Sequence, residues 1–139
     1  TPDAPPSRGL VDAFLRRHLC LLNPWPEALE RSVAQARREP GARVALLGAS
    51  ELEPGGLLAD WDLVPRLGEI DLPTLVTSGR ADLVPPALAA VLYREIPHSE
   101  WVVFEHSAHM PHLEEPQDYL EVLDGFLARV EARAQLAPA

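Results

Sequence analysis

A single cysteine, Cys20, stands among 139 residues, which excludes an intrachain disulfide. It makes a reducing, cytoplasmic compartment the expectation. Positive charge is scarce as well: 12 Lys+Arg face 21 Asp+Glu, a formal net charge of −9. A nucleic-acid partner needs clustered Lys/Arg along its phosphates, so that class is set aside. No apolar run nears the roughly 18 residues that a membrane helix needs, so no membrane partner is expected. The opening ten residues hold three prolines and no apolar run of the kind that drives secretion.

What is present is globular in kind. Apolar residues make up 47% and charged residues 24%, which argues against disorder. The length suits about one domain. Proline is plentiful, at 15 residues, and marks the loops.

The chain divides into two parts, 1–62 and 63–139. In the first, Leu10, Phe14, Leu15, Leu19 and Leu22 recur at helical spacing and predict a helix over Leu10–Leu22. Asn23-Pro24-Trp25-Pro26 stops it, because proline lacks a donor and restricts the residue before it. A second helix is expected over Pro26–Arg38, ended by Pro40-Gly41. Val44–Leu47 is helix or strand, and Pro54-Gly55-Gly56 a turn.

The second part alternates strand and helix. Leu72–Thr77 and Trp101–Phe104 are near-continuous apolar runs, expected as buried parallel strands. Helices are expected over Pro86–Glu95 and Pro116–Arg133. The fold class is therefore α/β, with helices covering a parallel sheet. Two strands make too small a sheet, so this looks like the last third of a larger domain.

Functional groups on such sheets collect on loops beyond the carboxyl ends of strands. One such loop holds Ser78-Gly79-Arg80-Ala81-Asp82, the other Glu105-His106-Ser107-Ala108-His109. If the strands are neighbours, Asp82 can meet His109, hold its tautomer and steady its charged form, leaving Nε2 as a base. The alternative is that Asp82 caps a turn and His109 is a surface residue.

Ile70–Asp82 followed by Pro85 closely resembles the acid-bearing strand and loop of α/β-hydrolases. Ser107-Ala108-His109 resembles the histidine loop of that fold, and Glu114-Glu115-Pro116 with Phe126-Leu127 its final helix. Gly56–Asp62, Pro73–Arg80 and His109–Glu114 are most similar to the proline iminopeptidase branch. The resemblance implies a serine hydrolase that removes N-terminal proline from peptides, needing no cofactor. It implies Asp82 as the triad acid, His109 as the general base and residues 1–62 as part of a helical cap. Gly48-Ala49-Ser50-Glu51 fits the cap stretch whose acid holds the substrate amine, which makes Glu51 the candidate. A second acid commonly follows the triad Asp, but Leu83 stands there. An esterase or amidase acting on small substrates without a free amine is the alternative, and a non-catalytic binding module is the third reading.

The nucleophile is missing. None of the six serines (Ser7, Ser32, Ser50, Ser78, Ser99, Ser107) sits in Gly-x-Ser-x-Gly. The expectation is a carboxyl-terminal fragment, inactive alone, whose partner is the amino-terminal part of the same fold. Two lesser constellations remain. His106, His109 and His112, with Glu114 and Glu115, could bind zinc, but Pro111 breaks their alignment. Trp25, between two prolines, could line a substrate pocket, whereas Trp101 belongs to a strand and the core.

Overall fold

A computed structural model describes residues 8–49 and 55–136. Three helices come first: α1 (Arg8–His18), α2 (Glu27–Arg38) and α3 (Gly41–Leu47). Short 3-10 turns follow at Gly56–Leu58 and Val64–Glu69. Then come β1 (Thr74–Gly79), α4 (Pro86–Glu95), β2 (Ser99–Phe104), α5 (Pro111–Glu114) and α6 (Pro116–Leu136).

The two strands pair in parallel, from Thr74 opposite Ser99 to Gly79 opposite Phe104. They end level, so the loops that follow them leave from one edge. Alternate residues of a strand face opposite sides. Trp101 meets Tyr93 of α4, with ring centroids 6.1 Å apart. Phe104 meets Tyr119 of α6 at 5.7 Å, and Glu100 pairs with Arg129 of α6. The odd face is thus covered by α4 and the even face by α6, the layering expected for a parallel sheet. Along α6, Tyr119, Val122, Leu123, Phe126 and Val130 form one half-buried to buried stripe. Pro85 and Pro86 open α4, where a missing N–H is harmless.

Several expected boundaries change. β1 begins at Thr74, two residues late, because Pro73 cannot donate to a ladder and Leu72 is left 69% exposed. Residues 44–47 are helical, as the end of α3. A short helix at Pro111–Glu114 adds to the expected elements. Helix α1 ends at His18 and not Leu22. Its last helical bond runs from Leu19 N–H to Leu15 C=O, at 2.8 Å. Beyond it the carbonyls of His18 and Leu19 are taken by the two strand-end loops, that of Cys20 by the Trp25 indole, and Leu21 N–H by Glu114, which removes them from any continued helix.

Large apolar side chains stay exposed on both covering helices: Leu88, Leu92 and Tyr93 on α4, Leu120 and Leu127 on α6. Among the described residues, no helix is long and apolar enough to cross a membrane.

Candidate active site

The two loops meet at the shared edge of the sheet. Arg80 N–H donates to Phe104 C=O at 2.8 Å and Ala81 N–H to Ser107 C=O at 3.0 Å, so the first loop runs against the second. Gly79 makes the approach possible. A Cβ there would lie 1.9 Å from Ala108 O and 2.4 Å from Ser107 O, inside any tolerable contact.

Asp82 turns back on its own loop. Its Oδ1 accepts Val84 N–H at 2.8 Å and its Oδ2 accepts Gly79 N–H at 3.3 Å. His109 Nδ1 lies 2.8 Å from the same Oδ1. An ionised carboxylate only accepts, so Nδ1 carries the proton in this pair. The acid is almost enclosed, with its side chain 7% exposed, while that of the histidine is 41% exposed. The carboxylate is therefore fixed by backbone donors of its own loop, and the imidazole it holds stays partly open to solvent.

The segment leaving α1 holds both loops. His18 C=O accepts Leu83 N–H at 2.9 Å, and His18 Nδ1 donates to Ala81 C=O at 2.8 Å. Leu19 C=O accepts His109 N–H at 3.1 Å. Cys20 lies fully buried beside them, and burial pushes its thiol pKa up, with the Glu114 charge adding to the rise. Above the loops, Arg80 makes a two-pronged pair with Glu105. That hydrogen-bonded pairing holds the Glu105 carboxyl below its usual range and raises the guanidinium.

The other candidates fall apart spatially or lie beyond view. Trp25 is half-buried; its indole N–H donates to Cys20 C=O at 2.8 Å and the Arg16 guanidinium stands 5.1 Å from its ring centroid. Trp101 is half-buried on β2, its indole N–H on Ser78 Oγ at 3.0 Å. Glu51 lies outside the described residues. His112 packs edge-on against Tyr119 while His106 is exposed, and among the described residues no three His, Cys, Asp or Glu side chains form a metal-holding group.

The chain is 40% identical over 102 residues to proline iminopeptidase of Clostridium botulinum, covering 73% of this chain and 34% of that one. Its fold matches the crystal structure of proline iminopeptidase from Mycobacterium smegmatis with a TM-score of 0.84, at 32% identity, over 91% of this chain and 42% of that one. The chain has the fold of a carboxyl-terminal portion of an α/β-hydrolase. A thermophilic esterase is a more distant structural match, with a TM-score of 0.60 at 31% identity over 88% of this chain and 46% of that one. No protein-family model matches the chain. It spans about a third of the length of the first curated relatives it matches.

Glu114 and Glu115, which the sequence offers as a final-helix signature and as companions of the three histidines, serve instead as acceptors for the histidine loop. Glu115 accepts His106 N–H at 3.1 Å and the Ser107 hydroxyl. Glu114 accepts Ala108 N–H at 3.0 Å, Met110 N–H at 3.1 Å and Leu21 N–H at 2.7 Å. Adjacent acids just after a loop histidine were the available signal. Apart from the Ser107 hydroxyl, their targets are backbone groups, which no residue pattern displays.

Proposed function

We propose that this chain supplies the acid and base of a serine hydrolase that removes N-terminal proline from peptides. The observation that carries the reading is the 2.8 Å contact between His109 Nδ1 and Asp82 Oδ1, made by two loops at one sheet edge. In this reading Asp82 fixes the imidazole, and His109 Nε2 takes the proton of a serine hydroxyl as that oxygen attacks the scissile carbonyl. His109 then returns the proton to the leaving amine. The serine comes from outside these 139 residues, because no Gly-x-Ser-x-Gly lies within them. Residues 1–62 belong to a cap, Glu51 holds the free amine of the substrate, and Trp25 contributes an apolar wall.

The likeness to the two proline iminopeptidases supports the peptide substrate. One observation favours a second reading, an esterase or amidase with no need of an amine: Leu83, and no acid, follows Asp82. An ammonium group set against one carboxylate is less well compensated than against two.

The experiment grafts this chain onto the Mycobacterium smegmatis proline iminopeptidase in place of the segment it superposes on. The graft is assayed on proline p-nitroanilide and on its N-acetyl derivative. Cleavage of the first alone supports the peptidase. Equal cleavage of both moves the assignment to the second reading, and cleavage of neither removes both.

A further inference from the structure

Three successive backbone N–H groups of the histidine loop, those of Ala108, His109 and Met110, are bonded to acceptors from elsewhere. The middle one goes to Leu19 C=O. The outer two go to the carboxylate of Glu114. The same carboxylate accepts Leu21 N–H, two residues beyond Leu19. A closed ring results: Glu114 to Leu21, along the chain to Leu19, across to His109, and back through Ala108 and Met110 to Glu114.

We propose that Glu114 is a positioning residue for His109, gathering the backbone N–H groups on both sides of it and tying them to the segment that leaves α1. The proposal rests on the reading of Asp82 and His109 as the orienting acid and the base. An ionised carboxylate has two oxygens that only accept, so it can serve all three donors at once. Leu21 and Ala108 share Oε1, and Ala108 and Met110 share Oε2. Such bonds to an anion are stronger than neutral ones. Pro111 opens α5 at a position where no N–H is needed, and one turn of helix brings Glu114 back beneath the loop it follows.

A substitute that loses either oxygen fails. A glutamine amide has one accepting oxygen and one donating nitrogen. In one orientation its NH2 faces Met110 N–H, in the other Leu21 N–H. The loop then relaxes away from the donor, and a displacement of about 1 Å stretches a 2.8 Å contact to Asp82 past the limit of a hydrogen bond.

The test uses nitrogen-15 NMR of the imidazoles in this 139-residue chain, above their titration. Free neutral histidine favours the proton on Nε2, whereas the Asp82 contact selects Nδ1–H in His109. His18 gives an internal reference, because its Nδ1–H is selected by Ala81 C=O. The expected result is Nδ1–H at both histidines in the wild type. In Glu114→Gln, and in the shorter Glu114→Asp, His109 loses the Nδ1–H form while His18 keeps it. Retention at His109 in both variants overturns the proposal. Loss at both histidines in both variants also overturns it, because Glu114 is then a requirement of the fold as a whole. A wild type in which His18 shows Nδ1–H while His109 lacks it refutes the acid–base reading itself, whatever Glu114 does.

Discussion

Gly79 and Ala108 lie so close that a single methyl group on the first would sit 1.9 Å from the carbonyl oxygen of the second. The atom in the way is backbone, so no rotamer change relieves it. Gly79→Ala should cost about 3 kcal/mol or more, the upper range of overpacking. It should also part the loops and break the Asp82–His109 contact. Urea unfolding measures the first effect, and the His109 tautomer the second. A variant as stable as the parent would falsify the close approach.

Asp82→Asn keeps the shape and changes the chemistry. With its oxygen toward His109, the new amide nitrogen faces Gly79 N–H; turned over, it faces Val84 N–H and Nδ1–H. Either way a donor meets a donor. We expect a stability loss of roughly 1–3 kcal/mol from the unsatisfied group. In the grafted enzyme, kcat should fall by roughly 10⁴-fold, as the equivalent change does in another serine-histidine-aspartate enzyme. Unfolding curves on the substituted chain and steady-state kinetics on the substituted graft decide this.

The buried Cys20 thiol should be a reporter of unfolding. Its pKa is raised, mainly by burial, so little thiolate exists at neutral pH, and its surface is closed to reagents. Iodoacetamide should label it slowly in buffer and rapidly in urea. Equal rates in the two conditions would show that the α1 exit segment does not lie as described.

The Arg80–Glu105 pair predicts an acid-side signature. Glu105 is depressed in the fold, chiefly by its hydrogen bonds with Arg80. A depressed carboxyl stabilises the fold above its unfolded pKa and loses that contribution as pH falls through the folded value. The pair is exposed, so the effect on melting is small. The clear readout is the carboxyl itself: Arg80→Ala should raise the Glu105 midpoint toward about 4.3, the ordinary glutamate value. Carbon-13 NMR titration of the glutamates follows it, and an unmoved midpoint counts against the pairing.

The strand–helix–strand–helix order was legible because its signals are local. Apolar runs mark β1 and β2, and prolines mark the starts of α4 and α6. Asp82 and His109 were legible because parallel strands that neighbour each other deliver their loops to one edge. The early end of α1 was not, since Leu19 and Leu22 keep helical spacing. Tertiary bonds to Leu83 and His109 take over the backbone at that point. The work of Glu114 was hidden for the same reason: a side chain aimed at backbone N–H groups leaves no pattern of residue types. Gly79 was visible only as a glycine at the end of a strand, yet its reason is a neighbour 29 residues away.

The central claim is that His109 is the base. Its most direct test is the His109→Ala variant of the graft onto the Mycobacterium smegmatis enzyme, with kcat on proline p-nitroanilide measured beside the unsubstituted graft. The account predicts a fall of at least ~10²-fold, the low end for losing a general base, with the folded state retained by circular dichroism. Activity within about twofold of the unsubstituted graft, far inside the range a general base contributes, would contradict it.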